Sequence, residues 1–207
     1  MKDLPGVLLT ATIWSYWIGV GVMIVRVRRK THSLAGLVPM QSLEKLMWIV
    51  WVPVVVAWAV LPYLSLSHGG PMSLPSFFAG DPPYTALRWV AGFTALACLL
   101  LTSLCWARMG TSWRMDVRPD SKNDLITDGP FRYVRHPIYA LSMMLMVCTV
   151  IVVPTFSMLL VAILHIGLMN LKARNEERHL LGVHGERYRN YVSHTGRFVP
   201  TIHFRRS

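Results

Sequence analysis

The chain has 207 residues, 53% of them hydrophobic and 15% charged, with mean hydropathy +0.41, and its apolar residues sit in long runs rather than at amphipathic spacing. That pattern excludes a soluble globular domain and indicates a helical membrane protein. The formal charge of +11 is spread over the segments between apolar runs, with no recognition module around it, so it speaks for anionic headgroups and against nucleic acid.

The first apolar run, Leu4 to Val25, carries Trp14, Tyr16 and Trp17 with Gly19 and Gly21, which suit close helix packing and an interface, and no chemistry is assigned there. Its positive cluster follows the run, so it is expected to stay as a helix rather than be cleaved as a signal peptide. The second run, Leu43 to Leu66, holds Pro53 inside it and Pro62 near its end, and a kink is expected at Pro53. The third, Tyr84 to Ala107, begins beside Arg88, which is expected to snorkel to the interface. A long polar stretch rich in charge and aromatics then reaches His136, and such loops usually carry function. Thr127, Asp128, Gly129 and Pro130 supply turn chemistry in it, and Pro137 reads as a helix start. The last run, Ile138 to Leu171, is broken at Pro154 and is long enough for two helices joined by a tight turn at Val153, Pro154 and Thr155.

Five spans result. Every Lys and Arg except Lys2 and Arg88 then falls on one side, which the positive-inside rule makes cytoplasmic, with the N-terminus outside and the C-terminus inside. The expected architecture is an all-α integral membrane fold of five transmembrane helices, with a tight final hairpin, a cytoplasmic loop and a C-terminal helix. It forms one membrane domain, residues 1–207, with three N-terminal spans in 1–107 and the functional half in 108–207. Cys98, Cys105 and Cys148 all lie in spans, which suggests neither a disulfide framework nor a CxxC metal site.

The hairpin carries a geometric expectation. With Pro154 at its apex, residues equally far before and after it lie level, because both helices rise about 1.5 Å per residue. Tyr139 is then level with Met169, and His136 with Lys172. His165, Met169, Lys172 and Glu176 form one helical stripe whose polar end meets His136 and Tyr139. Each group also has a plainer reading. Lys172, Arg174, Glu176, Glu177 and Arg178 suit a solvated helix end, His165 a packed histidine, and Tyr139 an interface anchor. Two polar clusters facing one another at a membrane edge favour a site.

The run GPFRYVRHPIY at Gly129 to Tyr139, then EERHLLGVHGERYRNY at Glu176 to Tyr191 and RFVP at Arg197 to Pro200, resembles the isoprenylcysteine carboxyl methyltransferase family, whose wider relatives include phospholipid N-methyltransferases. The resemblance covers roughly the last 85 residues. It implies S-adenosylmethionine as methyl donor on the cytoplasmic side, S-adenosylhomocysteine as product, and a lipid-like or amphipathic acceptor entering from the bilayer. By position, the cofactor contacts implied are Asn123, Asp124, Leu125, Ile126, Phe131, His136, Pro137, Ile138, Tyr139 and Glu176. The acceptor-side basic residue implied is Lys172, with Arg174 close by. Two positions depart from the family pattern: Leu141 stands where many relatives have Gly, and Lys172 where arginine is usual.

The residue types suit the implied chemistry. In-line methyl transfer needs the acceptor held close to the methyl carbon with water excluded. Glu176 suits the cofactor's cationic groups, and Phe131 and Tyr139 can pack adenine or a cation. His136 can bond the cofactor or help remove an acceptor proton, and Lys172 or Arg174 suits an anionic acceptor, carboxylate or thiolate, with an amine less favoured. No metal is required. The rival readings are an NADPH-dependent membrane reductase of the sterol reductase type and a non-catalytic lipid- or partner-binding protein. Neither the acceptor nor the oligomeric state is legible.

Overall fold

The computed structural model describes residues 3–31, 41–67, 81–115 and 125–201. They form six α-helices: α1 (Leu4–Thr31), α2 (Ser42–Ser67), α3 (Pro82–Met109), α4 (Pro137–Val152), α5 (Phe156–His184) and α6 (Glu186–His194). No strand occurs among the described residues, and a single parallel bridge joins Val134 to Gly196.

Local chemistry sets the helix ends. Asp81 caps α3 by accepting a hydrogen bond from Tyr84 N at 3.0 Å, with Pro82 in the first turn, where its missing N–H costs nothing. Thr155 caps α5 in the same way, accepting from Met158 N at 3.2 Å. Pro137 opens α4, and Val153, Pro154 and Thr155 separate α4 from α5 at the expected turn. Gly185, at φ 51°, ends α5 and starts α6 in the left-handed region that a side chain disfavours. Pro53 and Pro62 both lie inside an unbroken α2.

Four helices are long and apolar enough to cross a membrane: α1, α2, α3 with the turn after it, and α5. The remaining apolar helix, α4, has 16 residues and is about 24 Å long at 1.5 Å per residue, because the two prolines that bracket it leave no more chain. It packs most extensively against α3 and also against α5, while α1 packs on α3 and α2. Leu9, Ile13, Trp58, Ala95, Leu145, Met146 and Met158 form the fully buried core. Ile18, Ile49, Val90 and Leu100 are more than half exposed, as residues facing lipid would be. Gly19 has the packing role expected of it, since a Cβ there would meet the Trp106 ring at 2.5 Å. Gly21 has open space around it.

At the end of the bundle where the hairpin turns, Arg88 departs from the expectation of snorkelling. It is 8% exposed, pairs with Asp3 at 2.5 Å and donates from Nε to Val152 O at 3.2 Å. Tyr84 OH donates to Ile151 O at 2.7 Å. The last carbonyls of α4 lack partners within their own helix, so a guanidinium and a phenol held over them satisfy groups that lipid cannot. The charge is drawn inward by partners that the apolar sequence around it does not reveal.

Candidate active site

The other end of the bundle collects the polar residues. Arg135 N donates to Gly196 O at 2.8 Å and His136 N to Arg197 O at 3.1 Å, so the segment after α6 lies along the entrance to α4. Gly196 is required there, because a Cβ would sit 1.8 Å from Val199 O. At the start of the preceding turn Gly129 has φ 59°, and Arg108 and Asp128 form an ion pair beside it.

The paired glutamates divide into two tasks, because successive residues on a helix point about 100° apart. Glu177 is locked into the protein. Arg135 Nε reaches its Oε1 at 3.0 Å, and Arg197 brackets both oxygens, with Nη2 to Oε2 at 2.5 Å. His136 Nε2 lies 3.3 Å from Glu177 Oε1, an ion-pair distance without the alignment of a hydrogen bond. Arg135 also donates to the backbone oxygens of Thr195 and Val192. This network fastens α5 to the α4 entrance and the tail.

Glu176 faces the cavity. It accepts a hydrogen bond from Tyr139 OH, lies 3.5 Å from His136 Nδ1, and lies 3.5 Å from Lys172 Nζ. The His136 and Tyr139 rings stack with centroids 5.4 Å apart and planes 6° from parallel. Lys172 Nζ also reaches Glu44 Oε1 at 3.1 Å, which brings α2 into the cluster. Deeper in the bundle, Ser142 Oγ and His165 Nε2 are 2.9 Å apart, and the His165 ring lies 4.9 Å from that of Trp58.

A cavity of about 290 Å³ runs through these groups. At its polar end Leu125, Ile126, Phe131, His136, Pro137, Ile138, Tyr139 and Glu176 line it, with Tyr188 and Tyr191 from α6. Towards the middle of the bundle the lining becomes aromatic and apolar: Tyr16 and Trp17 from α1, Met47, Trp48 and Trp51 from α2, Trp106 from α3, and Met169 from α5. Lys172 and Glu44 line it as well. Tyr191 OH donates to Phe131 O at 2.5 Å, and burial pushes its pKa up to about 12. Burial raises the Tyr188 hydroxyl as well, with the Glu177 charge adding to it, and that hydroxyl makes no hydrogen bond among the described residues.

Of the residues singled out from the sequence, Leu125, Ile126, Phe131, His136, Pro137, Ile138, Tyr139, Lys172 and Glu176 therefore share one cavity. Asn123 and Asp124 lie outside the described residues. Arg174 is not brought in with them. It is exposed and lines a separate depression with Glu177, Arg178 and Arg197, because it sits on another face of α5 from Lys172. The two arms of the hairpin face one another as expected, but His136 and Tyr139 reach Glu176, four and seven residues beyond the Lys172 and Met169 that equal spacing from Pro154 sets level with them; His165, Met169, Lys172 and Glu176 line one wall. Glu44, Trp51, Trp106 and Tyr188 are among the lining residues that sequence reasoning passed over. For Glu44 a signal was present, since an acidic residue at the mouth of an apolar run needs a partner.

Residues 90–182 match the model of the isoprenylcysteine carboxyl methyltransferase (ICMT) family. That stretch belongs to the ICMT family. No curated protein matches the chain. The ICMT match runs from α3 through α4 into α5, so it contains the His136–Tyr139 motif, Lys172 and both glutamates, and it stops short of α6. Members of the ICMT family are S-adenosylmethionine-dependent methyltransferases, and the match supports an enzyme of the membrane methyltransferase class. Among the described residues, no group of three or more His, Cys, Asp or Glu is placed to hold a metal ion.

Proposed function

We propose that the chain binds S-adenosylmethionine at the polar end of the cavity and transfers its methyl group to a lipid-like acceptor that enters from the bilayer. The observation that carries this reading is the meeting of Tyr139 and Glu176, from the two arms of the hairpin, on one cavity that continues into an apolar chamber. When bound, S-adenosylmethionine supplies an activated methyl group on a sulfonium.

The residues present suit that guest. Glu176 offers a carboxylate to its cationic groups, and the stacked His136 and Tyr139 rings and Phe131 offer flat apolar surface to adenine. The Tyr188 hydroxyl, buried on the cavity wall with no hydrogen bond among the described residues, can donate to a ligand. Arg114 lines the same cavity. Tyr139, by donating to Glu176, holds that carboxylate in place before the ligand arrives. The aromatic walls exclude water from the point of transfer, where positioning supplies much of the acceleration.

In the same reading all five apolar helices, α1 to α5, cross the membrane. Their basic ends lie in the cytoplasm and the N-terminus lies outside, in accord with the distribution of Lys and Arg. Residues 108–207 supply the cofactor site, and residues 1–107 supply most of the acceptor wall.

Calorimetric titration of the detergent-purified protein tests the proposal. S-adenosylmethionine and S-adenosylhomocysteine should bind and NADPH should not. Binding of NADPH alone would turn the assignment over to the reductase reading, and binding of none of the three would remove the cofactor site altogether.

A further inference from the structure

The outer face of α5 carries a stripe that changes character where the apolar run ends. Leu160, Leu164, Gly167, Leu171, Arg174 and Arg178 follow one another at spacings of three or four residues, and all six are exposed. Leu160 to Leu171 rises about 16 Å at 1.5 Å per residue, half of the roughly 30 Å that a bilayer's hydrocarbon measures, so the apolar part of the stripe has the length of one leaflet. A Cβ at Gly167, in its middle, would meet nothing. The stripe then ends on two guanidiniums that make no ion pair or hydrogen bond among the described residues. Arg174 and Arg178 stand four apart on one face, where like charges repel, and an anion held between them would turn that repulsion into attraction.

At this end of the stripe lies the depression of about 600 Å³ that Arg174 borders. Its lining takes Arg174, Arg178 and Leu181 from α5, Arg189 and Val192 from α6, and Arg197 from the segment after α6. Four guanidiniums thus meet there with one carboxylate, Glu177, and Arg135 and Arg197 already hold that carboxylate. Arg189 pairs with Glu186, but both side chains are more than half exposed, and such a surface pair gives way readily to another anion. The guanidinium fork suits phosphate oxygens, which it can take two at a time.

We propose that this depression is a binding site for an anionic phospholipid, with the headgroup phosphate among the arginines and the tails along Leu160, Leu164 and Leu171. The apolar stripe decides the source of the phosphate, because a free anion would use the arginines and gain nothing from the exposed leucines in line with them. The headgroup would join α5 to α6 and to the segment after it, and so fasten the helix that supplies Tyr188 and Tyr191 to the cavity. Basic loops in general are drawn to anionic headgroups, but this site differs in having a place and room for one molecule. It does not depend on which reaction the cavity performs.

Native mass spectrometry of the detergent-purified full chain tests the site, with dioleoyl phosphatidylglycerol, dioleoyl phosphatidylcholine and glycerol phosphate as the three probes. The first phosphatidylglycerol should bind about tenfold more tightly than phosphatidylcholine, whose choline cancels the phosphate charge. Glycerol phosphate, which has the charge without the tails, should bind more weakly than phosphatidylglycerol. Arg174→Gln combined with Arg178→Gln should abolish the preference for phosphatidylglycerol. Arg28→Gln combined with Arg29→Gln removes the same charge from the exposed end of α1 and should keep it. Phosphatidylglycerol should also raise the melting temperature of the wild type and leave that of the Arg174→Gln/Arg178→Gln protein where it was. A wild type without the preference, or a preference that survives loss of Arg174 and Arg178, would overturn the site. Equal loss in the two double variants would reduce it to general charge attraction, and glycerol phosphate binding as tightly as the lipid would make the occupant a free phosphate.

Discussion

The two ends of the helical bundle each bury charge, and they use it differently. At the hairpin turn, Arg88 is held by Asp3 and Val152 O, and Tyr84 by Ile151 O, so each bond is spent on closing the end of α4. At the basic end, Glu44, Lys172, Glu176, Tyr139 and His136 are also paired, but their pairs line a cavity. A buried ion pair with no free space beside it can only support the fold, whereas one bordering a cavity can exchange partners with a guest. The contrast separates structural from functional polarity inside one apolar protein.

That contrast can be broken at either end. The largest effect expected is on stability. Arg88→Leu takes the ion-pair partner from Asp3 and the donor from Val152 O and should lower unfolding stability by about 3 kcal/mol, with affinity for S-adenosylmethionine unchanged. Thermal unfolding in detergent and calorimetry measure the two quantities separately, and a lost affinity would mean that the ends are coupled. Glu176→Gln should do the reverse, weakening S-adenosylmethionine binding roughly 100-fold, about 3 kcal/mol, with a small change in melting temperature. Tyr139→Phe removes one hydrogen bond to Glu176 and keeps the ring stacked on His136, so a loss of about tenfold is expected in the same titration.

The smallest effect concerns the exposed pair beside Gly129. The hydrogen bond from Arg108 holds the Asp128 carboxyl below its ordinary value, so the pair's contribution is present above the unfolded pKa of about 4 and is lost as pH falls through the folded value. Asp128→Asn should therefore flatten the acid limb of the melting-temperature profile slightly. An unaltered acid limb would show that the turn at Gly129 is held by its backbone alone.

The family match and the cavity bear differently on what was read from the residues. The motif at Gly129 to Tyr139 and the paired glutamates were enough to indicate the ICMT family, and the match over residues 90–182 bears that out. The motif could not divide the work of Glu176 and Glu177. Both are acidic neighbours on one helix, and only the positions of Arg135 and Arg197 make the second a lock and leave the first to the cavity. Arg174 shows the same limit from the other side, since two residues along a helix from Lys172 is the wrong face for the cavity.

From sequence alone came the helical membrane class, the breaks at Pro137 and Pro154, and the facing of the two hairpin arms that sets His136 and Tyr139 against the stretch holding Lys172 and Glu176. These follow from hydropathy, from the missing N–H of proline and from a constant rise per residue, all of which act locally along the chain. The tertiary structure alone decided that Glu44 neutralises Lys172, that Asp3 draws Arg88 inward, and that Trp17, Trp51 and Trp106 from three helices line one chamber. Those contacts join residues far apart in the chain. Their pairing depends on how each helix is rotated about its axis, and in a helix apolar on nearly every side no stripe of sequence records that rotation.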